Sequence, residues 1–365
     1  MGLYILVSLF LFSLLILFFY DFLFFKLTTH KSNKKIFKGA VSIVVCAKNE
    51  ANNLRRLLPI LLKQDFAVFE VVLVNDQSDD ETSIILEEFA IQYDNLVLVT
   101  IDSHITHRPG KKFALTLGIK TAKYDHILLT DADCLPSSKN WVQLICNNFN
   151  SSEIILGFGG YEKKSGLLNK IIRYDTFNVA KQYFSYSLSG FSYMGVGRNM
   201  AYNKSLFFDN KGFANHIHIA SGDDDLFIQE VAKSDNVAIE MSVDSHTISN
   251  VAENWKQWVY QKRRHITAAN LYKKKFKFFL ALYPNAQLLF WLSFIILISL
   301  GYQSIILILL SLKLCVSYLV HYKPMKQLGS IDLYLMHPFY EIIHIVLQGF
   351  FVFLSLASNP KDWSE

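Results

Sequence analysis

Apolar positions along this chain fall into three regimes. Residues 3–20 are an unbroken apolar run, long enough to cross a bilayer. From about residue 40, short β-branched runs alternate with stretches in which leucines recur at helical spacing. From about residue 278 the chain returns to long apolar runs.

The first run reads as a retained anchor over residues 1–25. No positive charge precedes it, its apolar core is too long for a signal peptide, and no small-residue cleavage site follows. Residue 6 is Leu6, which argues against N-myristoylation despite Gly2. Lys31, Lys34, Lys35 and Lys38 then place the next segment on the cytoplasmic side.

In the middle regime, Val41-Ser-Ile-Val-Val-Cys46 predicts a buried strand, and Leu54, Leu57, Leu58, Leu61 and Leu62 predict a helix over 50–63. Strands are expected over 69–74 and 96–101. A helix over 79–93 opens with acids that suit its macrodipole, and another covers 111–122. A fourth strand, His126-Ile-Leu-Leu-Thr-Asp131, carries its charge only at its carboxyl end. Apolar strands separated by helices of this length predict an α/β fold with a parallel, doubly wound sheet. Beyond it the pattern is less regular: a strand over 153–158, an aromatic-rich helix over 167–186, and a tight loop entering a strand at Gly195-Val-Gly-Arg-Asn-Met-Ala201.

The last regime, 278–356, predicts two or three membrane helices. Residues 278–300 and 304–320 form two candidate spans, the second holding Lys313, a costly charge unless it faces protein or snorkels. A final run over 333–356 contains Glu341, His344 and Gln348 and reads as partly interfacial.

Composition sharpens this picture in two respects. Of 365 residues, 52% are hydrophobic and 30 are Phe, more than a soluble domain carries, with the excess at the two ends. The net charge of +5 comes from lysines beside apolar stretches, which points to a membrane surface and not to nucleic acid. Cys46, Cys134, Cys146 and Cys315 lack metal-type spacing and read as reduced, buried thiols.

Candidate chemistry gathers where the strands end. Ala47-Lys48-Asn49-Glu50 follows the first, Asn75-Asp76-Gln77-Ser78-Asp79 the second, and Asp131-Ala132-Asp133 the fourth, while Gly110-Lys111-Lys112 opens the third helix. Parallel strands end on one edge, so these groups converge on one crevice. Asp131 and Asp133 share a side, with Ala132 turned away, and can hold a hard cation or ribose hydroxyls. A lysine at a helix N-terminus suits a diphosphate, which the acids would repel without a divalent cation between them. Taken singly, Asp-x-Asp most often marks a solvated turn, and Asn49 and Asp79 equally mark helix caps.

The blocks Val-Ser-Ile-Val-Val-Cys-Ala-Lys-Asn-Glu, Glu-Val-Val-Leu-Val-Asn-Asp-Gln-Ser-Asp-Asp, Gly-Lys-Lys-Phe-Ala-Leu and Thr-Asp-Ala-Asp together resemble, in order and spacing over about 40–270, the inverting family 2 glycosyltransferases of GT-A fold. The resemblance implies a catalytic domain over 38–270 on the cytoplasmic side of a membrane, bacterial in expectation. It further implies a nucleotide-sugar donor, a UDP-sugar in expectation, and a divalent metal, Mg2+ or Mn2+. By position, Asp76 matches the acid that contacts the base, typically uracil. Ala47, Asn49 and Glu50 match the nucleotide pocket, Lys111 the diphosphate side, Asp131 the acid near ribose and metal, and Asp133 the direct metal ligand. Gly197 and Asn199, followed by Lys211-Gly-Phe213, match the loop bordering the acceptor.

Two blocks match less closely. Ser221-Gly-Asp-Asp-Asp-Leu226 resembles the acidic motif that supplies the general base, with the register open between Asp223 and Asp224. Like-charge repulsion in such a cluster raises a carboxylate towards useful basicity. Gln261-Lys-Arg-Arg-His265 stands where the polysaccharide synthases carry Gln-x-x-Arg-Trp. Gln261 and Arg264 fit, with Arg264 suited to neutralise the leaving diphosphate. His265 replaces the tryptophan under the acceptor glycan, which argues against a processive polymerase. Trp255 and Trp258 read as packing or interface residues. The expected activity is transfer of a sugar, with inversion, to a lipid, lipid-linked or glycan acceptor. A processive synthase and a non-catalytic nucleotide-sugar-binding membrane protein are the alternatives.

Overall fold

The computed structural model describes residues 1–102, 110–219 and 221–357, with side chains of 355–357 excepted. The chain runs α1 (Gly2–Thr29), β1 (Val41–Ala47), α2 (Ala51–Leu61), β2 (Phe69–Asn75), α3 (Thr82–Gln92), β3 (Leu96–Thr100), α4 (Lys111–Thr121), β4 (His126–Asp131), β5 (Cys134–Pro136) and α5 (Trp141–Cys146). It continues through β6 (Ile154–Leu156), β7 (Gly159–Tyr161), α6 (Leu167–Ser187), β8 (Met200–Asn203), α7 (Lys204–Asp209), α8 (Asp225–Val231), β9 (Val237–Ile239) and β10 (Thr247–Ser249). The helices α9 (Trp255–Ala269), α10 (Lys274–Ser299), α11 (Gln303–Gln327) and α12 (His337–Ala357) close it.

Seven strands form one sheet in the order β3-β2-β1-β4-β8-β6-β9. The first four are parallel, and β1 is buried along its whole length, as a strand covered on both faces must be. The sheet as a whole is mixed, which corrects the all-parallel expectation: β8 pairs antiparallel with β4 and with β6. Its direction is set by its loop. Thr130 Oγ1 donates to the Arg198 carbonyl at 3.1 Å, so residues 197–199 sit where β4 ends and the strand leaving them can only run back. A second sheet, β5-β10-β7, has three strands of three residues each, too short for a periodic signal.

Register sets the site. Cys46 of β1 lies opposite both Val74 of β2 and Asp131 of β4, and Ala47 opposite Asn75. The ends of three strands are therefore flush, and the loops leaving them border one crevice. Helix α4 reaches that edge because Gly118 lets it lie close on the sheet: a Cβ there would come within 2.6 Å of Val44 and 2.9 Å of Val74.

Two sequence expectations shift locally. The helix expected over 79–93 begins at Thr82, so Asp79 and Asp80 precede it. There Asp80 accepts from the N–H groups of Thr82 and Ala51, tying the starts of α3 and α2 together. Cys46, Cys134 and Cys146 are buried, but Cys315 is exposed on α11.

Among the described residues, four helices, α1, α10, α11 and α12, are long and apolar enough to cross a membrane. Helix α1 packs on α10 through Phe10 and Phe290, with ring centroids 5.1 Å apart, and Tyr20 donates to the Phe279 carbonyl at 2.6 Å. Lys313 faces protein: it is buried and pairs with Glu341 of α12 at 2.6 Å. Helix α6, largely buried, joins these helices to the sheet. Tyr183 donates to the Gly157 carbonyl on one side, while Asp175 meets His344 of α12 on the other.

Candidate active site

The crevice centres on one ammonium group. Lys111 Nζ lies 2.9 Å from Asp131 Oδ1 and 3.2 Å from Asp223 Oδ2. These three residues come from the start of α4, the end of β4 and the turn leading into α8. Burial works against the Lys111 charge, but Asp131 and Asp223 outweigh it and hold the ammonium protonated well above its ordinary range. Gly197 forms the wall: a Cβ there would lie 3.5 Å from Asp223 Oδ2 and 3.7 Å from Lys111 Nζ.

The three adjacent aspartates have separate surroundings. Gly222, at φ +92°, turns the chain into them. Burial raises Asp223, but Lys111 reverses this and leaves it below the usual carboxylate range. Asp224 accepts from the N–H groups of Gly197 at 2.9 Å and Asp225 at 2.8 Å, and burial with the neighbouring Asp223 pushes it up to about 6. Asp225 accepts from the hydroxyl of Tyr272, and burial with Asp224 pushes it up to about 7.

Where β4 ends, Asp131, Asp133 and Cys134 bring one ligand atom each within 4.8 Å of one another. The Cys134 thiol is buried and pushed well above its ordinary range, and it donates to Asp133 Oδ1 at 3.2 Å. It is therefore a hydrogen-bond donor, and the two carboxylates are the hard oxygen ligands. Burial and the nearby Asp131 push Asp133 up, a repulsion that a divalent cation would relieve. The donor set fits such a cation.

The residues expected on the nucleotide side have three different environments. Asp76 is fully buried beside Ala47, whose carbonyl accepts its N–H at 2.8 Å. Glu50 is half-buried, accepts from Asn53 at 2.6 Å, and is raised by burial and by the charges of Asp133 and Asp131. Asn49 is exposed at φ +57°, and its Oδ1 accepts from the N–H of Asp79 at 2.8 Å. It caps neither helix; it stitches the loop after β1 to the loop after β2.

Two expected site residues do not meet the crevice as expected. Asn199 is buried, with Oδ1 accepting from Trp141 Nε1 and Nδ2 donating to the carbonyls of Phe158 and Ser245. Its amide braces the loop from behind. Gln261 donates to the Tyr161 hydroxyl at 3.0 Å, and that ring stacks under the Arg198 guanidinium at 4.5 Å. Gln261 thus acts through Arg198. Arg264 lies further along α9, half-buried. Trp258 is buried against Phe351, and Trp255 is exposed beside it.

Sequence reasoning missed Arg198, Tyr161 and Tyr272. Arg198 lay inside a quoted motif, while Tyr161 and Tyr272 carry no local signal because their partners are 100 and 47 residues away.

Residues 42–209 match the family described as Glycosyl transferase family 2. Among curated relatives, the glycosyltransferase AglE of Haloferax volcanii is 27% identical over 194 residues, 50% of this chain and 58% of that protein. A poly-beta-1,6-N-acetyl-D-glucosamine synthase of Staphylococcus epidermidis is 30% identical over 93 residues, 26% of this chain and 21% of that protein. The chain thus matches less than two thirds of either relative's length. In fold it is similar to the mannosyltransferase PcManGT from Pyrobaculum calidifontis, solved in complex with GDP-Man and Mn2+, at TM-score 0.54 and 17% identity, covering 93% of this chain and 99% of that one.

Proposed function

Since residues 42–209 make this chain a family 2 glycosyltransferase of GT-A fold, we propose that it moves a sugar from a nucleoside diphosphate to a hydroxyl presented at a membrane surface, with inversion. The observation that carries this reading is the Lys111 bridge, which joins the metal-side Asp131 to the acid segment at Asp223 across one ammonium.

Asp223 is the base of choice on geometry, which ranks ahead of basicity. It faces the centre, whereas Asp224 is held by two backbone N–H groups and fixes the loop of Gly197. In the reaction, Asp223 takes the proton of the acceptor hydroxyl as that oxygen attacks the anomeric carbon. The bond from that carbon to the diphosphate oxygen breaks, and the nucleoside diphosphate leaves. Lys111 turns to the diphosphate as the donor binds. With that counter-charge drawn away, the burial that already pushes Asp223 up is opposed less, and its basicity rises. A divalent cation held by Asp131 and Asp133 supplies, when bound, Lewis-acid neutralisation of the leaving diphosphate. Ala47 and Glu50 line the nucleotide side, and Arg264 reaches the diphosphate from α9.

The acceptor is a lipid or lipid-linked molecule. Supporting this, the acid segment is tied through Tyr272 to the residues just before α10, one of the four apolar helices. Transfer of a single sugar is preferred to processive synthesis because His265 replaces the expected tryptophan.

Purified membranes offered a panel of UDP- and GDP-sugars, with nucleotide release as readout, test the reading. Asp223→Asn should lower release by about 100-fold or more with donor binding retained. Asp133→Ala should remove the response to added Mn2+ or Mg2+. Full transfer by either variant would sink its assigned role.

A further inference from the structure

Helix α4 opens with two lysines, and successive side chains on a helix diverge by about 100°. Lys111 reaches Asp131 and Asp223, while Lys112 reaches the turn Ala214–His216, on the chain that leads to the acid segment. Lys112 Nζ lies 2.9 Å from His216 Nδ1 and donates to the His216 carbonyl at 2.6 Å. Both side chains are buried. An ammonium has hydrogens to give and no lone pair to offer, so Nδ1 is the acceptor and the imidazole is neutral, with its proton on Nε2. Nε2 lies 3.7 Å from Glu230 Oε2 of α8, beyond a hydrogen bond. Glu230 itself accepts from Asn210 at 2.6 Å and from Asn215 at 3.1 Å. Among the described residues, the charges that act on His216 are thus Lys112 of α4, Glu230 of α8 and Asp223 of the turn before it. Burial and Lys112 hold the imidazole below its ordinary range, against the pull of Glu230 and Asp223.

Two ties therefore join the start of α4 to the acid segment, Lys111 with Asp223 at 3.2 Å and Lys112 with His216. The first does not last through the reaction, because Lys111 turns to the diphosphate when the donor binds. The reaction uses neither partner of the second. We propose that His216 is a positioning residue: by accepting from Lys112 it keeps the acid segment against α4, and Asp223 in the crevice, after Lys111 has left it. The inference rests on the transferase reading above. A protonated imidazole carries a hydrogen on Nδ1 as well and sets one donor against another. The tie is accordingly present while His216 is neutral and lost as pH falls. Because it acts on the base and not on the nucleotide, its loss lowers kcat and leaves the donor KM as it was.

The test is nucleotide release by purified membranes, with the sugar nucleotide that the donor panel selects, followed against pH. His216→Asn puts Oδ1 where Nδ1 accepted and does not titrate. Its kcat should stay within about threefold of wild type near neutral pH, and its ratio to wild type should rise by about threefold or more between about pH 7.5 and about pH 5. His216→Leu removes the acceptor and should lower kcat about tenfold at unchanged donor KM. Lys112→Met should lower it by a like factor, and the double variant by no more than either single one. A flat ratio for His216→Asn overturns the positioning role, as does full kcat in His216→Leu. A donor KM that rises as kcat falls moves the pair to the nucleotide side and overturns it too. If His216→Leu no longer unfolds cooperatively, the pH profile of His216→Asn decides alone. Release by the wild type with a flat ratio leaves the transferase reading standing; no release from any sugar nucleotide overturns both.

Discussion

Asp223, Asp224 and Asp225 are identical letters with three environments, and the difference is which way each points. Asp223 meets a cation, Asp224 meets backbone N–H groups, and Asp225 meets a tyrosine hydroxyl. The last is the most perturbed of the segment, raised to about 7 from an ordinary 3.8 by burial and by Asp224. A folded-state value above the unfolded one means stability that is complete below about pH 4 and lost as pH rises through about 7. Asparagine does not titrate. The unfolding temperature of Asp225→Asn relative to wild type should therefore rise between about pH 4 and about pH 7, as measured by scanning fluorimetry. A flat difference across that window would show that Asp225 is not held protonated by its surroundings.

At the scale of elements, α9 carries more than its sequence block announced. Near its middle, Gln261 supports Tyr161 and Arg198 behind the metal-side acids, and Lys262 pairs with Asp175 at 2.8 Å. Towards its end, Thr267 meets Ser221 at 2.8 Å, and Tyr272 comes next with its bond to Asp225. Lys273 N–H then donates to Gln229 at 3.1 Å, so residues 221, 225 and 229 are held in turn by the approach to α10. Tyr272→Phe removes one of these ties without changing shape. It should lower kcat several-fold, to about tenfold, and leave the donor KM unchanged in steady-state assays. A parallel rise in donor KM would instead place Tyr272 on the nucleotide side.

For the whole molecule, the buried pair Lys313–Glu341, with Gln287 donating to Glu341 at 2.8 Å, joins α10, α11 and α12. Removing one partner strands a buried charge, which costs about 3–5 kcal/mol, whereas replacing both with apolar residues is often neutral or stabilising. Lys313→Met should accordingly unfold at a clearly lower temperature in detergent, and Lys313→Met with Glu341→Met should recover most of the loss. If the double variant is as unstable as the two single losses added, the pair is not a coupled unit.

Much of this architecture was legible in the chain itself. Short runs made mostly of apolar, β-branched residues, such as 41–47, become buried strands, so β1, β2 and β4, with the helices between them, come from pattern alone. Because parallel strands share an edge, the meeting of Lys111, Asp131 and Asp133 was legible too, as were the long apolar helices. Tertiary structure alone decided the rest. Strands of three or four residues, β5 to β10, carry no period, so the turn to antiparallel at β8 depended on where the loop of 197–199 docks. Polar side chains carry no direction in sequence. Asn199 turned inward to Trp141, Gln261 to Tyr161, and the choice among three adjacent aspartates waited on which of them Lys111 could reach.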